Sequence, residues 1–84
     1  MKQAKAASYI RELLRERNFD ITARRMTLAG NQRWPVFERN GRQVGVDTAG
    51  GIWLRESAEQ EWRLLAKTHT SSGAIMAADF LSQD

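Results

Sequence analysis

The chain contains no cysteine. Disulfide staples and thiolate metal sites are therefore excluded. A single histidine, His69, excludes a multi-histidine metal centre within one chain, and no metal or cofactor is expected. No apolar run approaches the ~18–20 residues needed to cross a bilayer. The opening stretch MKQAKAASYIRELL spreads its charges throughout and lacks an unbroken apolar centre, so it does not read as a signal peptide. The expected compartment is the cytoplasm. Proline is nearly absent too: Pro35 is the only one, and it falls inside a segment that otherwise reads as strand.

Catalytic patterns are also missing. Ser71 and Ser72 lie beside His69, but a seryl nucleophile needs a base held by a third group. His69 is placed to complement a helix end rather than to act as a base. Asp47 and Glu56 border the expected sheet without forming an acid–base pair. The glycines of TAGG, residues 48–51, suit a turn; a phosphate loop would need a lysine at a fixed spacing. The chain is not expected to be an enzyme. Zinc-finger spacing, the aromatic signature of RNA-recognition sheets and a helix-turn-helix apolar pattern are absent as well.

What is present is arginine. Ten of the thirteen cations are arginine, in a chain of 84 residues with formal net charge +3. Residues 21–45 hold Arg24, Arg25, Arg33, Arg39 and Arg42 against Glu38 alone. Residues 46–84 are net acidic. With 42% hydrophobic residues and three tryptophans, the chain has the composition of a folded domain, and its length fits one domain, 1–84. A scaffold this small without staples commonly gains stability by self-association.

The pattern along the chain predicts an α+β domain. Residues 4–17 form an amphipathic helix, with Ala6, Ala7, Tyr9, Ile10, Leu13 and Leu14 on one arc and Arg11 and Arg15 opposite; Asn18 is its stop. In residues 19–28, Phe19, Ile21 and Ala23 alternate in one phase and Met26 and Leu28 in the other. This predicts a strand broken or bulged at Arg24-Arg25, with a second short helix as the alternative. WPVFER and RQVGVD flank Asn40-Gly41, the strongest short hairpin signal. The two-residue loop sets Arg39 opposite Arg42, Phe37 opposite Val44, and Glu38 opposite Gln43. Phe37, Val44 and Val46 make the core face. Pro35 requires a free side or a partner strand beyond it. IWLRE, 52–56, completes a three- to four-stranded antiparallel meander. Ser57 and Gln60 stand at capping-box spacing before an expected helix at 58–68. Ser71 or Ser72 caps a last helix, 73–82.

Two functional expectations follow. Like charges facing each other across strands are unfavourable, so the Arg39–Arg42 pair asks for an anion. The tip Arg39-Asn40-Gly41-Arg42-Gln43 holds residue types that read guanine and adenine in the major groove, which admits a two-stranded ribbon. Arg24, Arg25 and Arg33 would anchor phosphates, as could Lys2, Lys5, Arg11 and Arg15. The expected function is a small double-stranded-DNA-binding protein, a transcriptional or plasmid-maintenance regulator. On that reading, replacing both tip arginines by alanine leaves the fold intact or more stable. The alternative is a protein-interaction module, antitoxin-like or a phage-type inhibitor, docking an acidic partner through the same surface. A single-stranded nucleic-acid binder would use exposed sheet aromatics, with Trp34 and Trp53 as candidates. The wide apolar arc of the last helix predicts a homodimer built on Met76, Phe80 and Leu81, with Leu64 beside them.

Overall fold

A computed structural model describes residues 2–84. In chain order these form α1 (Lys2–Glu16), β1 (Arg24–Thr27), β2 (Arg33–Arg39), β3 (Arg42–Val46), β4 (Ile52–Arg55), β5 (Arg63–Ala66) and α2 (Ser71–Ser82). The class is α+β. The strands make one antiparallel meander in the order β1-β2-β3-β4-β5. There are five strands rather than three or four, and two helices rather than three.

The extra strand and the missing helix are one correction. Residues 58–68 were expected to be helical because Ala58, Trp62, Leu65 and Ala66 share an arc. Instead a turn leads into β5, which pairs with β4. Leu64, off that arc, is the telling residue: Leu64 and Leu65 alternate across a sheet that is apolar on both faces. The Ser57–Gln60 spacing serves the turn. Gln60 N–H donates to Ser57 O at 3.2 Å, and Gln60 Oε1 accepts from Glu56 N at 3.1 Å.

Elsewhere local chemistry and structure agree. Asn18, at φ 67, ends α1 in the left-handed conformation. Phe19 N–H donates to Leu14 O and Asn18 N–H to Arg15 O, both at 2.9 Å; this is the Schellman closure. Asn40 and Gly41 have φ 54 and 83, as a type I′ hairpin requires. The β2–β3 register sets Arg39 against Arg42 and Phe37 against Val44. Pro35 pairs with Arg25 of β1, and the ladder to β3 begins one residue later, at Val36. The strand expected across 19–28 is confined to Arg24–Thr27, so the double arginine lies inside β1 and the irregular segment precedes it. The cap of α2 is Thr70, whose Oγ1 accepts from Gly73 N at 3.0 Å; Ser71 and Ser72 are already helical.

Both helices pack on one sheet face. Ala6, Ile10 and Leu14 of α1 meet Phe37, Val44, Val46, Ile52 and Leu54 of the sheet and Ala74, Ala77, Ala78 and Leu81 of α2, all buried. Each large side chain among them contributes about 1.5–3 kcal/mol by leaving water. Much of the wide apolar arc of α2, Ala74, Ala77, Ala78 and Leu81, is therefore covered within the chain, by α1 on one side and the sheet on the other, while Met76 stays exposed.

The opposite sheet face carries no helix, yet its centre is buried. Trp34 lies with its ring centroid 5.7 Å from those of Trp53 and Trp62. Trp62 folds back over Gly45 of β3. The phase slip at Arg24-Arg25 now has a cause: Phe19, Ile21 and Ala23 pack on the helix-side core, whereas Met26 pairs with Trp34 on the tryptophan side. A Cβ at Gly45 would lie 3.0 Å from Trp34 Cε3 and 3.2 Å from the Trp62 ring. Gly45→Val is expected to cost about 1–3 kcal/mol in urea unfolding and to red-shift tryptophan emission as Trp62 loses its seat. Unchanged stability and emission would show that this second core does not form.

Candidate nucleic-acid interface

The expected cations fall into three groups with different surroundings. The first is the hairpin tip. Arg39 and Arg42 project to the helix side, where α2 ends. Helix C-termini leave carbonyls without partners, and α2 has no basic residue in its last turn. The two arginines fill both needs. Arg39 Nη1 donates to Leu81 O at 3.0 Å and to Gln83 O at 2.9 Å. Its Nη2 reaches Asp84 Oδ1 at 3.2 Å. Arg42 donates to Gln83 O through Nη1 and to Asp84 O, at 3.2 Å, through Nη2. Arg39 also lies 4.2 Å over the Phe19 ring. The like-charge pair thus caps a helix whose dipole favours cations there. Of the tip, Asn40 is exposed and supplies the turn.

The second group lies along the free edge of β1. Register places Arg25 opposite Pro35 and Arg33 opposite Thr27, so Arg25 and Arg33 are diagonal neighbours on one face and Arg24 points to the other. Arg11 of α1 joins them, lining a recess with Ser8, Thr22 and Ala23 where the chain enters β1. Arg15, Arg17, Arg39 and Arg63 pair with carboxylates. Among the described residues Arg11, Arg24, Arg25 and Arg33 form no ion pair.

The third group lies on the tryptophan face. Arg55 stacks 4.2 Å over the Trp62 ring, and its Nε donates to Gln43 Oε1 at 2.7 Å. Gln43 is only 5% exposed. Beside it a cavity of about 130 Å³ opens, lined by Arg24, Met26, Val36, Glu38 and Gln43. Arg24 and Gln43 were expected to contact DNA from separate positions; they meet here. Arg55, Trp62 and Glu38 were not singled out as site residues, although Glu38's place opposite Gln43 follows from the hairpin register.

Asp47 belongs to the scaffold. Its Oδ1 accepts from Ala49 N and Gly51 N, at 2.9 and 2.7 Å, and its Oδ2 from Trp53 Nε1 at 2.8 Å. The TAGG turn is built on this carboxylate. The residues expected to form a dimer face do not share one. Leu81 is fully buried. Leu64 pairs with Trp53 on the tryptophan face, whereas Met76 and Phe80 line a groove with Leu54 and Leu65 on the helix side. No group of three or more potential metal ligands occurs among the described residues, and no helix among them is long and apolar enough to cross a membrane.

No family model, no curated protein and no solved structure matches the chain.

The capping role of the tip reverses the sign expected for its removal. Arg39→Ala together with Arg42→Ala strips five hydrogen bonds from the end of α2. A destabilisation of about 2–4 kcal/mol in urea unfolding is expected, at about 1 kcal/mol per partly exposed bond with overlap between them. A double variant as stable as the parent would free the arginines for another role.

Proposed function

We propose that the protein binds double-stranded DNA through the free edge of β1. The observation that carries this reading is the cluster of Arg11, Arg24, Arg25 and Arg33, which form no ion pair among the described residues. Arginines left unpaired by their own chain keep their full donor forks for phosphate oxygens. A cationic edge also deters pairing with another strand; phosphate binding gives the same residues a second use. Compared with the expectation from sequence, the binding surface moves from the hairpin tip to the sheet edge, because Arg39 and Arg42 are occupied by α2. As a transcriptional or plasmid-maintenance regulator the protein works without a cofactor and as a pair of copies. Met76, 54% exposed, and Ile75, 39% exposed, are the apolar surface α2 offers a second copy.

Fluorescence anisotropy with duplex DNA across a salt series tests this. Affinity is expected to fall steeply with salt, and the triple variant Arg24→Ala, Arg25→Ala, Arg33→Ala to flatten the log–log slope by about 0.9 for each phosphate it no longer neutralises. Absence of binding at low salt would reject the reading and leave these arginines to an acidic protein partner. Light scattering is expected to give twice the 9.6 kDa mass of one chain.

A further inference from the structure

We infer that the cavity on the tryptophan face is a pocket for the hydrogen-bonding edge of one unpaired nucleobase, with guanine the best match. The inference rests on the nucleic-acid reading for the source of that base. The cavity's volume of about 130 Å³ is near the roughly 150 Å³ known to accept a single benzene ring. Its floor is apolar, from Val36 and Met26, and its polar groups come from three strands: Arg24 of β1, Glu38 of β2 and Gln43 of β3.

Gln43 carries the argument. It is nine-tenths buried, and a buried amide needs partners for both its ends. Arg55 Nε, a donor, takes the Oε1 end and so fixes which way the amide points. The Nε2 end is then a donor with no acceptor among the described residues, open to water at the cavity, where a ligand can take it. The pocket thus presents donors from Gln43 and Arg24 beside a carboxylate acceptor at Glu38. The register holds this set in place, since Glu38 and Gln43 are directly opposed and Arg24 faces Val36, the next outward residue of β2. A carboxylate is best satisfied by two parallel N–H groups. The six-membered ring of guanine offers N1–H and N2–H side by side, with O6 next to them for Gln43 or Arg24. Thymine and uracil have one ring N–H, and adenine and cytosine present a single amino group. Only one ring need enter, which suits the volume. A base reaches such a pocket only when unpaired or flipped out.

The test uses short labelled thymidine oligonucleotides with one central dG, dA, dC or dT, with guanosine monophosphate as competitor. The dG strand is expected to bind about tenfold more tightly than the others, and the monophosphate to displace it. Glu38 is exposed, so Glu38→Ala should fold normally, as checked by circular dichroism. The variant is expected to abolish the dG preference while the all-thymidine strand binds as well as before or better, since a negative charge has gone. A purely structural Glu38 would not change base preference. Equal binding of all four strands, or a dG preference surviving Glu38→Ala, overturns the proposal. Salt-dependent duplex binding with no base preference would remove the pocket and leave the proposed function standing. Binding of the monophosphate, abolished in Glu38→Ala, with no oligonucleotide or duplex bound at low salt, would keep the pocket as a free guanine-nucleotide site and remove the nucleic-acid reading.

Discussion

Asn40 and Gly41 adopt left-handed backbone conformations that few other residue pairs tolerate without strain, and the two-residue loop they make leaves only one register for β2 and β3. Side chains alternate across a strand, so a slip of one residue would exchange the two faces. The rest of the molecule depends on that register. It puts Phe37 and Val44 under the helices, Trp34 and Gly45 against Trp62, and Val36 on the same face. It aims Arg39 and Arg42 at the end of α2, and it opposes Glu38 to Gln43 at the mouth of the cavity.

The sheet is then closed by two unlike solutions to the same problem. One face is covered by two helices, and the small residues Gly73, Ala74, Ala77 and Ala78 let α2 approach closely. The other is covered by three tryptophans, one of which sits where Gly45 leaves room. In so small a chain the second core adds apolar burial that the helices alone do not supply. The same arrangement leaves β1 uncovered, and the unpaired arginines collect on that edge. The polar cavity lies where the tryptophan cluster stops short of β1. The uncovered arginine edge and the packing are thus two outcomes of how far the tryptophans reach.

The charge pattern divides along similar lines. Arginines with acceptors in the chain act as structure: Arg39 and Arg42 hold α2, and Arg55 orients Gln43 while lying on Trp62. Ion pairs at the surface, such as Arg15 with Glu12, add little stability. The arginines that remain stand on β1, at the start of β2 and on the flank of α1. Separating the two populations required knowing which carbonyls and carboxylates lie near each guanidinium, and those neighbours are 41 to 62 positions away for the α2 contacts.

The sequence alone determined the features set by neighbours along the chain: the first helix and its Asn18 stop, the I′ hairpin and its register, the core face of Phe37, Val44 and Val46, and the α+β class. It also located the awkward arginine pair correctly on the helix-side face. Tertiary structure decided the rest. Segment 58–68 carries a helical arc, yet residues 63–66 instead pair along the edge of β4 as β5. The arc of α2 suggested a second copy; packing against both α1 and the sheet buries Ala74, Ala77, Ala78 and Leu81 and leaves Met76 outside. The meeting of Arg24, Glu38 and Gln43 was invisible until β1 was known to pair with β2. The physical reason is common to all three: turns, caps and registers are short-range, whereas which apolar face is covered and which cation finds an acceptor depend on groups brought together only when the chain folds.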